Sequence, residues 1–214
     1  MNTEKPVRMF TISTCSHCKA AKRFMKECGV TFEFTDVDLL SGKEKKEIIK
    51  EVEKHNPRRS YPTILIGDAV IVGFKENEIR SALDLDAAGA EGVTGEEPKP
   101  ENPEVARLYE ALKKSQEAKG YYFNRELGRT FELLEALLVN RERYGYMACP
   151  CRLAAGDRER DRDIFCPCVY REPDVAEYGS CYCNLYVSKE WNEGTAPRRY
   201  VPERRPPEKF RREP

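Results

Sequence analysis

Nine cysteines are spread unevenly over the 214-residue chain. Cys15, Cys18 and Cys28 fall in the first 28 residues, and Cys149, Cys151, Cys166, Cys168, Cys181 and Cys183 crowd into the last third. Such a distribution implies two separate chemistries in two domains. The opening residues, MNTEKPVRMF, hold no apolar signal core, so a cytoplasmic location is expected. In a reducing compartment clustered cysteines serve redox or metal chemistry more often than structural disulfides. With only two histidines, His17 and His55, histidine-rich metal sites have little material.

The first group reads Cys15-Ser16-His17-Cys18, placed between a strand-like run and a helical one. A thiolate at a helix N-terminus is stabilised by the helix dipole and by free backbone N–H groups. Cys15 is therefore the expected nucleophile. Cys18, one turn later, is the thiol that closes a disulfide on it, and His17 could add charge if protonated. A zinc knuckle needs a second ligand pair, for which this region has only Cys28 and distant His55. Cys28 falls on the apolar face of the helix and reads as a core thiol.

The second group is three Cys-x-Cys pairs: CPC at 149–151, CPC at 166–168 and CYC at 181–183. Fourteen residues separate the first two pairs and twelve the last two. Six thiols exceed what one zinc ion or one cubane cluster uses. Four could hold a [4Fe–4S] cluster and leave two for a dithiol. A two-zinc thiolate cluster would use all six, but single-residue spacing is unlike a C-x₂₋₄-C knuckle. Three disulfides would suit a secreted protein.

These sites need elements to hold them. Residues 6–13 alternate as a strand, and residues 15–28 show helical apolar spacing through Ala21, Phe24 and Met25 up to Gly29. A strand at 31–36 follows, then a charged helix at 41–54 with Ser41 as cap and Glu44 three residues on. Strands at 61–66 and 69–72 flank a Gly67-Asp68 turn, and a helix at 76–85 closes a β-α-β-α-β-β-α unit over residues 1–85. Residues 86–103 form a linker with five acids against one lysine. If unstructured, it would span about 25 Å on average. Residues 104–214 make the second domain, mainly helical at first, with patterns at 104–118 and 124–140. Its stripe of Leu127, Phe131, Leu134, Leu137 and Leu138 is helix packing. After Tyr144 the chain reads as loops, and the Arg- and Pro-rich segment from Ala196 reads as a solvated extension. No apolar run is long enough for a membrane span. Charge balances at 37 basic against 37 acidic residues, so nothing argues for nucleic acid.

Residues 6–85 resemble a glutaredoxin or NrdH-type redoxin, a member of the α/β thioredoxin fold with a mixed four-stranded sheet. The resemblance is carried by TCSHC at 14–18, SYPTILIGD at 60–68 and VGF at 72–74. It implies a cis Pro62 facing the CxxC and a substrate-binding surface at Tyr61, Pro62 and Gly73. Tyr61 stands where glutaredoxins usually have valine. Gly73-Phe74 replaces their Gly-Gly glutathione element, which implies a protein reductant rather than glutathione.

Residues from about 105 to 207 resemble the catalytic subunit of ferredoxin:thioredoxin reductase, through YGYMACPCRL, DIFCPCVY, GSCYCNLY and VPERRP. The resemblance implies a [4Fe–4S] cluster on Cys149, Cys166, Cys168 and Cys181 in a loop-rich iron–sulfur domain. Cys151 and Cys183 would then be the redox dithiol, with Cys151 the exposed attacking thiol and Cys183 against the cluster. Tyr182 stands where the family has a proton-transferring histidine. A phenol with a pKa of about 10 donates a hydrogen bond but is a poor base at neutral pH. The expected function is ferredoxin-dependent reduction of protein disulfides, passed from the second domain to Cys15 and Cys18. A second subunit, as in plant enzymes, is left open. Two other readings are a non-catalytic iron–sulfur or zinc sensing module with an appended redoxin, and a redoxin served by an NADPH-linked thioredoxin reductase.

Overall fold

The computed structural model describes residues 5–85 and 99–210. The chain divides into two compact units, Met1–Thr94 and Gly95–Pro214. Most of the expected linker, residues 86–98, lies outside the described residues.

The first unit runs β1 (Val7–Thr11), α1 (Ser16–Glu27), β2 (Glu33–Asp36), a 3₁₀ turn at Val37–Leu39, α2 (Gly42–His55), β3 (Thr63–Ile66), β4 (Ala69–Val72) and α3 (Glu76–Ala82). Its sheet has the order β2-β1-β3-β4. β1 is parallel to β2 and antiparallel to β3, and β4 is antiparallel to β3. This is the thioredoxin-like mixed sheet expected from the sequence. Alternation along β1 sorts its neighbours. Val7 and Met9 join Ala21, Phe24 and Met25 of α1 and Ile79 of α3 in the core. Arg8, pointing the other way, pairs with Glu51 of α2. α1 stops in a Schellman turn at Gly29, where φ is 67° and the Val30 N–H returns to the Met25 carbonyl at 2.9 Å. Ser41 precedes α2 as expected, but its side chain makes no capping bond.

The second unit runs α4 (Pro103–Glu117), β5 (Tyr122–Phe123), α5 (Leu127–Tyr144), a 3₁₀ turn at Arg162–Ile164, α6 (Arg171–Tyr178), β6 (Tyr186–Val187), α7 (Lys189–Glu193) and a 3₁₀ turn at Pro207–Phe210. Asn102 caps α4 by accepting from the Glu104 N–H at 2.9 Å. Asn124 was expected inside the next helix. It lies before it instead, because its side-chain oxygen takes the Glu126 N–H at 3.0 Å. Tyr109, Phe123 and Tyr186 stack successively, with centroids 5.1 and 5.4 Å apart. This stack ties α4 to β5 and β6. The region after Tyr144 is less irregular than the sequence suggests, since α6 and α7 lie within it. α6 ends at Gly179, whose φ of 74° and approach to Trp191 leave little room for a side chain: a Cβ would lie 3.2 Å from Trp191 Cδ1.

The segment from Ala196 is not a solvated extension. Val201, Glu203 and Arg205 are all buried. Arg205 donates to the Leu153 carbonyl at 2.8 Å, to Asp161 at 2.9 Å and to Asp163 at 3.0 Å. The composition suggested solvent because arginine is rarely buried without partners; here two carboxylates and the carbonyls of Leu153 and Arg160 supply them. Among the described residues no helix is long and apolar enough to cross a membrane.

Arg205→Gln should destabilise the second unit by about 3–5 kcal/mol, since it leaves Asp161 and Asp163 without their buried cation. Trp191, the chain's single tryptophan, is 5% exposed and belongs to this unit. Its fluorescence during urea unfolding should show the lowered midpoint, while an unchanged midpoint would remove Arg205 from the list of structural ions.

Candidate thiol and dithiol sites

In the first unit β1 delivers the chain into a tight bend, with the Cys15 N–H on the Ile12 carbonyl at 3.1 Å. Cys15 has extended backbone angles and caps α1, as the spacing implied. Cys18 lies one turn inside, and its sulfur accepts the Ile12 N–H at 3.4 Å. Cys15 is the expected nucleophile, yet both sulfurs belong to fully buried residues, and Thr14 and Ser16 beside Cys15 are buried too. Cys28 is half-buried at the edge of the core. The Tyr61-Pro62 peptide bond is cis. The Gly73 N–H, at φ 85°, donates to the Pro62 carbonyl at 2.8 Å, so these two expected substrate residues are joined.

Sequence reasoning passed over the polar groups around this dithiol. Asp38 is buried and accepts from the Ser13 N–H at 2.8 Å and from the Ser13 hydroxyl at 2.5 Å. Tyr61 is buried with no hydrogen bond to its hydroxyl among the described residues. Burial pushes its ionisation up, and the nearby charges of Cys18 and Asp38 push it further against the opposing pull of Arg59. No apolar periodicity marks these positions, although the Asp36-Val37-Asp38 run after β2 was visible.

In the second unit two short backbone clips gather the loops. The Cys149 N–H donates to the Ile164 carbonyl at 2.8 Å, and the Cys166 N–H to the Met147 carbonyl at 2.9 Å. They join the first CPC loop to the second. The third pair is held by the Cys181 N–H on the Tyr186 carbonyl at 2.8 Å, with β6 leading back to β5. Asn140 of α5 donates to the Ala148 carbonyl at 2.9 Å, fixing the first loop to the long helix. The Cys166-Pro167 bond is cis.

All six thiols therefore meet. The charges of Cys149, Cys168 and Cys181 all act on Cys166. Burial and these like charges hold Cys166 well above the usual thiol range. Burial likewise pushes Cys168 up to about 12, against the opposing pull of Arg152. Cys183 is wedged against Cys149 at 3.7 Å and Cys181 at 3.9 Å, and it hydrogen-bonds with Cys151. Those hydrogen bonds, with burial behind them, raise the Cys183 thiol. Cys151 is not the exposed thiol expected of it. It lies in an unbroken buried run at 148–154, while Cys166 and Cys168 keep partial exposure. Tyr182 is also buried, its ring 4.6 Å below the Arg152 guanidinium.

Arg152 is the residue that sequence reasoning missed. It donates to the Cys168 sulfur at 3.3 Å and lies 4.0 Å from that of Cys149. Its position directly after a CPC pair was the available signal. Among the described residues no three His, Cys, Asp or Glu side chains are arranged around a single metal ion. The donor set instead suits a polynuclear group. Four thiols, Cys149 and Cys181 buried and Cys166 and Cys168 partly exposed, are soft ligands that repel one another as thiolates, so their deprotonation needs positive charge among them. N–H groups already point at the sulfurs, from Arg152 to Cys168 and from Tyr186 to Cys181 at 3.3 Å. The buried Tyr186 hydroxyl lies beside the Cys166 sulfur, a further donor next to a thiol of this set. These residues fit an iron–sulfur cluster.

Comparison with known proteins finds a family match for each unit. The family model for glutaredoxin matches residues 7–71. The model for the ferredoxin thioredoxin reductase catalytic beta chain matches residues 98–203. Among solved structures, methanoredoxin of Methanosarcina acetivorans is 42% identical, covering 39% of this chain and 87% of that one, with a TM-score of 0.37. The glutaredoxin of Archaeoglobus fulgidus is 34% identical over 37% of this chain and 87% of that one, with a TM-score of 0.36. The NrdH-redoxin of Escherichia coli is 26% identical over 42% of this chain and all of that one, with a TM-score of 0.31. No curated protein matches the chain. The first unit thus carries a glutaredoxin domain and the second a ferredoxin thioredoxin reductase catalytic beta chain domain, a pairing that supports a disulfide redox role.

Proposed function

We propose that the chain is a ferredoxin-dependent disulfide reductase, in which the second unit reduces the Cys15–Cys18 pair of the first and that pair reduces protein disulfides. The observation that carries this reading is the placement of Cys183. It touches two of the four cysteines suited to a cluster and also hydrogen-bonds with Cys151. A redox dithiol therefore abuts a four-thiol donor set. Bound by Cys149, Cys166, Cys168 and Cys181, a [4Fe–4S] cluster would supply electrons singly, as ferredoxin does.

Reducing one disulfide takes two electrons and two protons. Cys151 and Cys183 provide the two-electron station, alternating between disulfide and dithiol. Cys183 is crowded by Cys149 and Cys181, and the resemblance to the reductase makes Cys151 the attacking sulfur, which its burial requires to be uncovered before it reacts. Cys151 forms a mixed disulfide with Cys15 and expels Cys18 as a thiol. Cys183 then displaces Cys15 and closes the disulfide with Cys151, so the redoxin pair ends reduced. At Cys15 the α1 N-terminus stabilises the thiolate that attacks the next protein disulfide. Pro62 and Gly73, already tied to each other, would pair with that substrate's backbone. The direction is favourable. A donor near about −400 mV and an acceptor near about −230 mV differ by about 8 kcal/mol for two electrons.

Cys166→Ser and Cys168→Ser should each abolish the absorption band near 400 nm of anaerobically purified protein and most of its iron. Cys151→Ser should keep both and lose ferredoxin-dependent turnover. Equal iron loss in the two classes would break the assignment of ligands and dithiol. Wild-type protein without iron would end the reading altogether.

A second expectation concerns the relay. Cys18→Ser combined with Cys183→Ser removes both resolving thiols, so mild oxidation should trap a Cys15–Cys151 disulfide within one chain. Mass spectrometry of non-reduced peptides detects it. A crosslink formed only between chains, or no faster than between separately added units, would show that the two units serve different partners.

A further inference from the structure

The chemistry assigned so far leaves one buried cation unused. Arg152 has a side chain with no solvent exposure, and aromatic rings lie on it from two residues, Tyr170 at 4.8 Å and Tyr182 at 4.6 Å. Its Nε donates to Glu203 at 2.8 Å, and its Nη2 faces Asp174 at 3.5 Å. Nη1 is turned the other way, onto the sulfurs of Cys168 and Cys149. The two carboxylates are not equivalent. Asp174 also receives the Arg204 Nε at 2.7 Å, which balances its charge. Glu203 is 3% exposed and accepts the Arg205 N–H at 2.9 Å, a neutral donor. Of the charges acting on Arg152, that of Glu203 is the largest, and it is the principal counter-charge.

A guanidinium held only for stability would spend all its donors on carboxylates and carbonyls, as Arg205 does in its contacts with Asp161, Asp163 and Leu153. Arg152 instead aims one arm at sulfur. Positive charge and N–H donation at cluster sulfurs favour the more reduced, more negative state, and so raise the potential. Negative charge nearby does the opposite.

We propose that Arg152 is a positioning residue that sets the reduction potential of the four-cysteine centre, and that Glu203, from the segment after Ala196, sets how much of that positive charge the sulfurs feel. The inference rests on the cluster reading above. With the Tyr170 and Tyr182 rings on it and no side-chain surface open to solvent, the guanidinium's charge reaches the sulfurs with little screening. Tyr182 thereby acquires a role that its poor basicity does not limit.

The test is a potential rather than a rate. Iron content and the midpoint potential of the centre, from a spectroelectrochemical titration near 400 nm, are measured on the full chain and on three variants. Arg152→Gln should shift the midpoint negative, and Arg152→Lys, which keeps charge without the planar fork, should lie between Arg152→Gln and wild type. Glu203→Gln should shift it positive. Iron per chain should stay within about twofold of wild type in Arg152→Lys and Glu203→Gln, as expected when no ligand is removed. Shifts of the same sign, or none, would overturn the inference while leaving the cluster reading intact. So would failure of all three variants to load iron that the wild type holds. Iron-free wild type would overturn both readings.

Discussion

Beneath the cysteine loops, two buried guanidinium groups stand where an apolar core would ordinarily lie. Arg152 and Arg205 have no solvent-exposed side-chain surface, and neither could persist there without its carboxylates. Their partners come from distant positions: Asp161, Asp163, Asp174 and Glu203. Satisfying the two cations therefore forces the loops around residues 150, 162 and 204 together. Hydrophobic burial adds to this through Tyr146, Leu153, Ile164 and Leu185. Charge compensation here shares the gathering that leucines do along α5.

The first unit solves a different problem with different means. Its thiols sit at the seam between a strand and a helix, positioned by a packed α/β core in which Phe24 meets Phe74 edge-on at 5.8 Å. Buried polar side chains also enter it: Asp38, Arg59 and Tyr61, and Asn56, which donates to Ser60 and Thr63. A rigid apolar frame thus surrounds a small polar pocket in one unit, and a polar frame surrounds a thiol cluster in the other.

What could be read in the sequence follows this contrast. The period of Ala21, Phe24 and Met25, the Gly67-Asp68 turn and the Leu-rich stripe of α5 are apolar or turn signals, and the elements they mark are present within a few residues. The paired cysteines announced their chemistry by spacing alone. Arg152, Glu203 and Arg205 were illegible for a physical reason. A buried ion pair has no periodicity, and its members are separated by about fifty residues whose path only the fold reveals. The same holds for the burial of Cys15 and Cys151. Helix-end geometry describes a thiol's local environment and not what covers it.

The counter-charge for Arg152 lies 51 positions downstream of it. At about 5–20 residues per second, roughly 3–10 s of synthesis separate the two. All six clustered cysteines are also made before Glu203. For that interval the nascent loops carry reactive thiols without the carboxylate that completes their surroundings, and the first CPC pair has no partner of opposite charge from the later segment. Assembly of the thiol centre is thereby tied to a late event in biosynthesis, and a ribosome that stalled between residues 183 and 203 would release a chain with every sulfur and no finished cradle for them.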